Sequence, residues 1–246
     1  MNKKYCFFNL LFVFTSLIVS GQVFIETGPP PNSRDPFGSI IVYGSGGLSQ
    51  TIPYNRIKGS AFWKDEWQKA YFFDSRNSAK GSYQAKFNFA TQEVHYLDKR
   101  GEEQAAIPGE LSAVVFMQKD DSTKIATIFR SNIDEVKLKA GCKKCFAHEL
   151  NQGDTKLLKI TQREVKSEDS LFGTQKKYFF SNKEEYFIQV GEQYNRLKRL
   201  TKDAFFSFIP GKTAYDAWIK EKGLKFNRES EYLVFLEHYN ATHIKD

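Results

Sequence analysis

The stretch KAGCKKCFAHEL, residues 139–150, holds Cys142 and Cys145 with two residues between them and His148 three positions further on. Two thiols at this spacing support three chemistries. In an oxidising compartment they pair. At a helix N-terminus, where the dipole lowers the first thiol's pKa, they exchange disulfides. With His148 and a fourth ligand they form half of a zinc site. As a staple the pair is weak: closing so small a loop is worth about 2 kcal/mol, against about 4.7 for a loop of 100 residues. Lys143 and Lys144 favour a thiolate. The lead-in VKLKAG, however, is not the strand-to-helix entry of a thioredoxin-type motif. A local disulfide is therefore the expectation, with a redox-active pair, a metal site at Cys142, Cys145 and His148, and free thiols as alternatives. One C-x2-C-x2-H knuckle without a partner knuckle does not define a zinc site, and no cofactor is expected.

The second group is FWKDEW, residues 62–67. Trp63 and Trp67 offer aromatic faces, and Asp65 and Glu66 offer carboxylates, so the four could line a sugar or peptide groove. The alternation of residue types favours a structural strand edge over such a groove. Elsewhere the signals are negative. His95, His148, His238 and His243 form no H-x-x-x-H or H-E-x-x-H arrangement, and no G-x-S-x-G elbow is present. FIPGKT, residues 208–213, ends like a phosphate-binding loop but has Phe206 where that loop needs glycine. YGSGGLS, residues 43–49, reads as a flexible turn without the dinucleotide spacing.

What must position these groups begins after residue 38. Residues 1–21 place Lys3 and Lys4 before an apolar run from Tyr5 to Val19, then small residues. This predicts a secretory signal peptide cleaved before Gln22, with a retained anchor helix as the alternative. Residues 22–38, with Pro29, Pro30, Pro31 and Pro36, read as an extended leader. No later run is long enough for a membrane span. Of 36 basic and 29 acidic side chains, cleavage of the signal peptide would remove two lysines and no acid, so the net charge would fall from +7 to +5. Basic residues are interspersed with acids, which argues against a nucleic-acid partner. The densest cluster, Arg196, Lys198, Arg199 and Lys202, reads as a solvated strand edge, with an anionic polymer or membrane surface as the alternative.

Over residues 39–200 short alternating runs recur. In SYQAKFNF, Tyr83, Ala85, Phe87 and Phe89 share one face. SAVVFM, TKIATIF, TKLLKIT, KKYFFS, EYFIQV and QYNRLKRL follow, separated by turn-like PG, DDS, QGD, SNKE and GE. Strands so close together leave no room for crossover helices, so the expected fold is α+β and mainly β, an antiparallel meander forming a sandwich, roll or open barrel. Residues 201–246 switch to helical spacing, interrupted at Pro210 and Gly211, and predict two or three short helices packed on the sheet.

The segments GSAFWKDEW, KFNFATQEVHYLD and YFIQVGEQYNRLKRLTKDAFFSFIP, with the terminal YDAWIKEKGLKFNRESEYLVFLEHYN, resemble a group of uncharacterised exported proteins of Bacteroidetes-type bacteria. The resemblance implies an exported precursor with a β-rich body and a helical tail, and it carries over no active-site residue. The functional expectation is a non-catalytic, periplasmic or secreted protein with a binding or structural role, its partner an envelope protein or glycan. An envelope thiol-disulfide or metal-linked protein is the first alternative, and a glycan or peptide hydrolase the second.

Overall fold

The computed structural model describes residues 37–43, 49–106, 109–169 and 176–242. The segment expected to be a signal peptide, most of the expected leader, and residues 44–48 of the turn expected at 43–49 lie outside them. Two strands, β1 (Ser39–Tyr43) and β2 (Ser49–Pro53), pair with each other. The rest enter one large sheet: β3 (Ile57–Lys58), β4 (Gln68–Asp74), β5 (Ala79–Asn88), β6 (Glu93–Leu97), β7 (Glu103–Ala106), β8 (Leu111–Met117) and β9 (Ile125–Arg130). After a helix α1 (Asp134–Ala140) come β10 (Ala147–Glu149), β11 (Thr155–Asp169), β12 (Lys176–Val190) and β13 (Gln193–Leu197). The tail contains α2 (Lys202–Phe206), α3 (Asp216–Glu221) and α4 (Glu229–Thr242). The fold is thus mainly β, antiparallel, with short helices at the C-terminal end, as the alternating pattern predicts.

The spatial order is β13-β12-β11-β10-β9-β8-β4-β5-β6-β7, every neighbour antiparallel, with β3 added parallel to β12. One step departs from a simple meander. After β7 the chain returns to pair β8 with β4 rather than with β7. Five residue steps, Ala106 to Leu111, cover at most about 18 Å. Four strand spacings in a flat sheet are about 19 Å. The sheet must therefore curl, and its concave side is filled by Phe72, Phe87, Val114, Phe116 and Phe129, with Ala106 and Leu111 in the same cluster. Phe87 and Phe129 stack with ring centres 4.2 Å apart.

Two further differences from the sequence pattern have local causes. SNKE, residues 181–184, is not a turn: β12 runs unbroken beside β11 for fifteen paired positions. Its polar residues face outward at mid-strand, and Asn182 accepts a hydrogen bond from Arg163 opposite it. Polar composition alone imitates a turn there. Conversely, a helix falls inside the span expected to hold only strands and turns: VKLKA lies in α1, with Asp134 and Glu135 in its first turn, Lys137 and Lys139 in its last, and Gly141 at φ 67° closing it. Those are helix start and stop signals compressed into eight residues.

Between β10 and β13 both faces of the sheet are covered, which explains why KLLKI and YFIQV lose alternation. Leu157, Ile188 and Leu197 face the tail, where they meet Phe205, Phe235 and Leu236. Leu158, Ile160 and Phe187 face the other way, onto Ile133 and Val136 of the α1 region. Trp218, on α3, is only partly buried and stacks on His238 of α4 at 3.9 Å. Among the described residues, no helix is long and apolar enough to cross a membrane.

Candidate functional site

Cys142 and Cys145 are bonded to each other, their Cα atoms 5.7 Å apart. The pair follows the C-terminus of α1: Gly141 takes the left-handed conformation and the Cys142 N–H bonds back to the Lys137 carbonyl. A helix C-terminus presents carbonyl oxygens and negative dipole charge, which disfavours a thiolate. This is the reverse of the thioredoxin-type placement. Cys145 is fully buried among Val136, Leu158, Ile160 and Phe187, whereas Cys142 is partly exposed and accepts a weak hydrogen bond from Gln162.

His148 does not join them. Strand alternation sends Ala147 to the α1 side, into the cluster that holds Cys145, and turns His148 to the opposite face. There its ring stacks on Phe129 at 4.6 Å and meets Trp63 edge-on. The C-x2-C-x2-H metal set is therefore not assembled, and among the described residues no group of three metal-ligating side chains converges.

The four FWKDEW candidates are also separated. Residues 61–63 continue the line of β4 beside β5, through the Phe62–Asn88 bridge, but the chain takes six steps from Phe62 to Gln68 where β5 takes three. The excess forms a bulge that re-aims the side chains. Trp63 turns inward onto Phe116 and Phe129. Trp67 meets Lys86, whose strand neighbours Ala85 and Phe87 face inward, so the two indoles lie on opposite sides. A lysine ammonium covers each ring, Lys64 at 4.5 Å from Trp63 and Lys86 at 4.0 Å from Trp67. Asp65 accepts from the Ser60 hydroxyl, and exposed Glu66 pairs with Lys119 at 2.6 Å. No single groove is lined by all four.

A different polar cluster occupies the concave face, where the β core meets the tail. Lys159 of β11 pairs with Glu229 of α4 at 2.7 Å and lies 4.0 Å from Glu184 of β12. The Tyr186 hydroxyl donates to Glu229 at 2.7 Å. Burial alone would raise the Glu229 carboxyl, but the hydrogen bonds from Lys159 and Tyr186 outweigh it and hold it below the usual range. Burial, then the hydrogen bond to Glu229, pushes the Tyr186 phenol well up. Next to this trio, His148 Nε2 is hydrogen-bonded to Thr127, and its Nδ1 is buried without a partner among the described residues. Burial, reinforced by the Lys159 charge, lowers the His148 pKa to about 4, so the ring is neutral at pH 7.

A second buried histidine lies under the β1–β2 side. His95 of β6 bonds Glu103 of β7 at 2.7 Å and faces Glu93 at 3.8 Å, with Asn88 linking it to the Tyr54 hydroxyl. Burial lowers its pKa, but the two carboxylates together outweigh burial and the net shift is upward. Neither cluster was legible from spacing, since each gathers residues from separate elements. Compared with protein-family models, with curated proteins and with solved structures, the chain matches none of them.

Proposed function

We propose that this protein is exported and non-catalytic, with a binding or structural role in the cell envelope. One observation carries the non-catalytic part: the ionisable groups of the concave cluster neutralise one another and are displaced from neutrality. General acid-base catalysis needs a pKa near the working pH. Here the imidazole is held at about 4, the phenol is raised and the carboxylate lowered. Lys159 is paired rather than free to act as a nucleophile. His148, Tyr186 and Glu229 are each shifted away from neutrality, which suits a structural seam between sheet and tail. The placement of the disulfide behind a helix C-terminus supports a clip rather than an exchange centre.

Export rests on Lys3, Lys4 and the apolar run that precedes Gln22. The test combines fractionation of the native host with genetic complementation. Protein recovered from the envelope or medium should begin at or near Gln22, and a Cys142→Ser/Cys145→Ser chain should restore the phenotype of a deletion strain as fully as the parent. Intact Met1 in the cytoplasm would overturn export. A folded double mutant that fails to complement would overturn the clip and favour disulfide exchange.

A further inference from the structure

On α1 the inward stripe is Ile133, Val136 and Ala140. Leu138, two residues on from Val136, lies about 200° round the helix from it and is 82% exposed. A helix pole aimed at water ordinarily carries a polar side chain, so Leu138 is not explained by the core.

Its surroundings are basic and held rigidly. Asp134 pairs with Lys137 at 2.7 Å and Glu135 with Lys139 at 2.6 Å, so the acids on the helix are neutralised in place. The turn after the helix carries Lys143 and Lys144, both exposed, between two cysteines joined covalently and anchored by buried Cys145. Lys139 donates to the Tyr194 carbonyl and Arg196 to the Lys139 carbonyl, which fixes α1 along β13. Exposed Lys198 and Arg199 follow directly. Lys143, Lys144 and Lys198 have no ion-pair partner among the described residues. The Lys139 and Arg196 bonds lay α1, with its exposed leucine and the lysine turn that follows it, along β13, and because Leu197 faces the tail, Lys198 next to it turns to the α1 side.

We propose that this face, Leu138 with Lys143, Lys144 and Lys198, docks on an anionic lipid surface. The proposal rests on the envelope-associated reading above and names its partner. A leucine raised on a fixed helix turn enters the acyl boundary, while long lysine stems keep their ammonium groups at the headgroups. Each basic side chain near such a surface adds to the attraction, and salt weakens it.

Co-sedimentation of the protein as recovered from its host, with vesicles of phosphatidylcholine alone or with about a third phosphatidylglycerol, tests this. Expected is binding to the anionic vesicles only, weakened by salt, and reduced roughly tenfold or more by Lys143→Gln/Lys144→Gln and similarly by Leu138→Gln. These positions are exposed, so the variants should melt with the parent, and both share its N-terminus. Equal sedimentation of parent and variants, or equal binding to neutral vesicles, would overturn the proposal. So would retention on a soluble polyanion such as heparin without vesicle binding. The assay uses isolated protein, so its failure is distinct from a failure of export in the host.

Discussion

Lys159 in β11 and Glu229 in the first turn of α4, seventy residues apart in sequence, form a 2.7 Å ion pair that ties the helical tail to the concave face of the sheet. Both side chains are largely shielded from solvent, at 15% and 32% exposure. Removing one partner leaves the other charge poorly solvated, and this penalty exceeds the net value of the pair. Lys159→Met should destabilise the protein by about 1–3 kcal/mol. A double-mutant cycle with Glu229→Gln in urea should show a coupling of about 0.5 kcal/mol or more. A coupling near zero would mean that this ion pair adds nothing to the join between sheet and tail.

The two buried histidines should give opposite pH responses. His148 has a folded pKa of about 4, below its unfolded value of about 6.5. Between these values the unfolded chain binds more protons, so stability falls as pH drops from 6.5 towards 4, by up to about 2–3 kcal/mol. His148→Gln should flatten that acid limb in thermal melts across the window. His95 has its folded pKa raised, so its contribution is fully present below about 6.5 and is lost as pH rises through the folded value. His95→Gln should remove a stability decline on the alkaline side. A variant that leaves its own limb unchanged would show that the histidine does not titrate with folding.

Phe235 is fully buried and touches Phe205, Phe206 and Phe226. Phe235→Ala should cost about 3–5 kcal/mol, as large core truncations do, with a large part of a domain's stability at stake. A chain lacking residues 212–246 that unfolds at the parent's denaturant midpoint would show the tail to be independent of the sheet.

Loss of the disulfide should be mild. Replacing Cys142 and Cys145 together should lower stability by no more than about 2 kcal/mol, the value of closing so short a loop. Alanine is the better replacement at Cys145, whose surroundings are apolar and would leave a serine hydroxyl without a partner. A much larger loss would show that the pair holds α1 and β10 together beyond its own loop.

The residue pattern alone determined which faces turn inward and where many turns fall. Ala85, Phe87 and Phe89 alternate because a strand projects successive side chains to opposite sides, and all three are buried. Gly191 opens a two-residue connection between Val190 and Gln193 with φ 60°, a conformation glycine adopts without steric cost. The switch to helical spacing after residue 200 places Phe235 and Leu236 in the core for the same kind of reason, a period set by backbone geometry.

Only the tertiary structure decided what each inward face meets. Local periodicity records that a side chain is buried and is silent on its partner, because partner choice follows from burial summed over the whole fold. Thus β8 returns to β4, Trp63 and Trp67 part to opposite sides of β5, and His148 leaves the cysteines next to it in sequence. By the same cause Lys159, Tyr186 and Glu229 meet from three elements, and α1 comes to lie along β13, where Arg196 bonds the Lys139 carbonyl. Contacts of this kind depend on strand order and sheet curvature, properties that no short stretch of sequence contains.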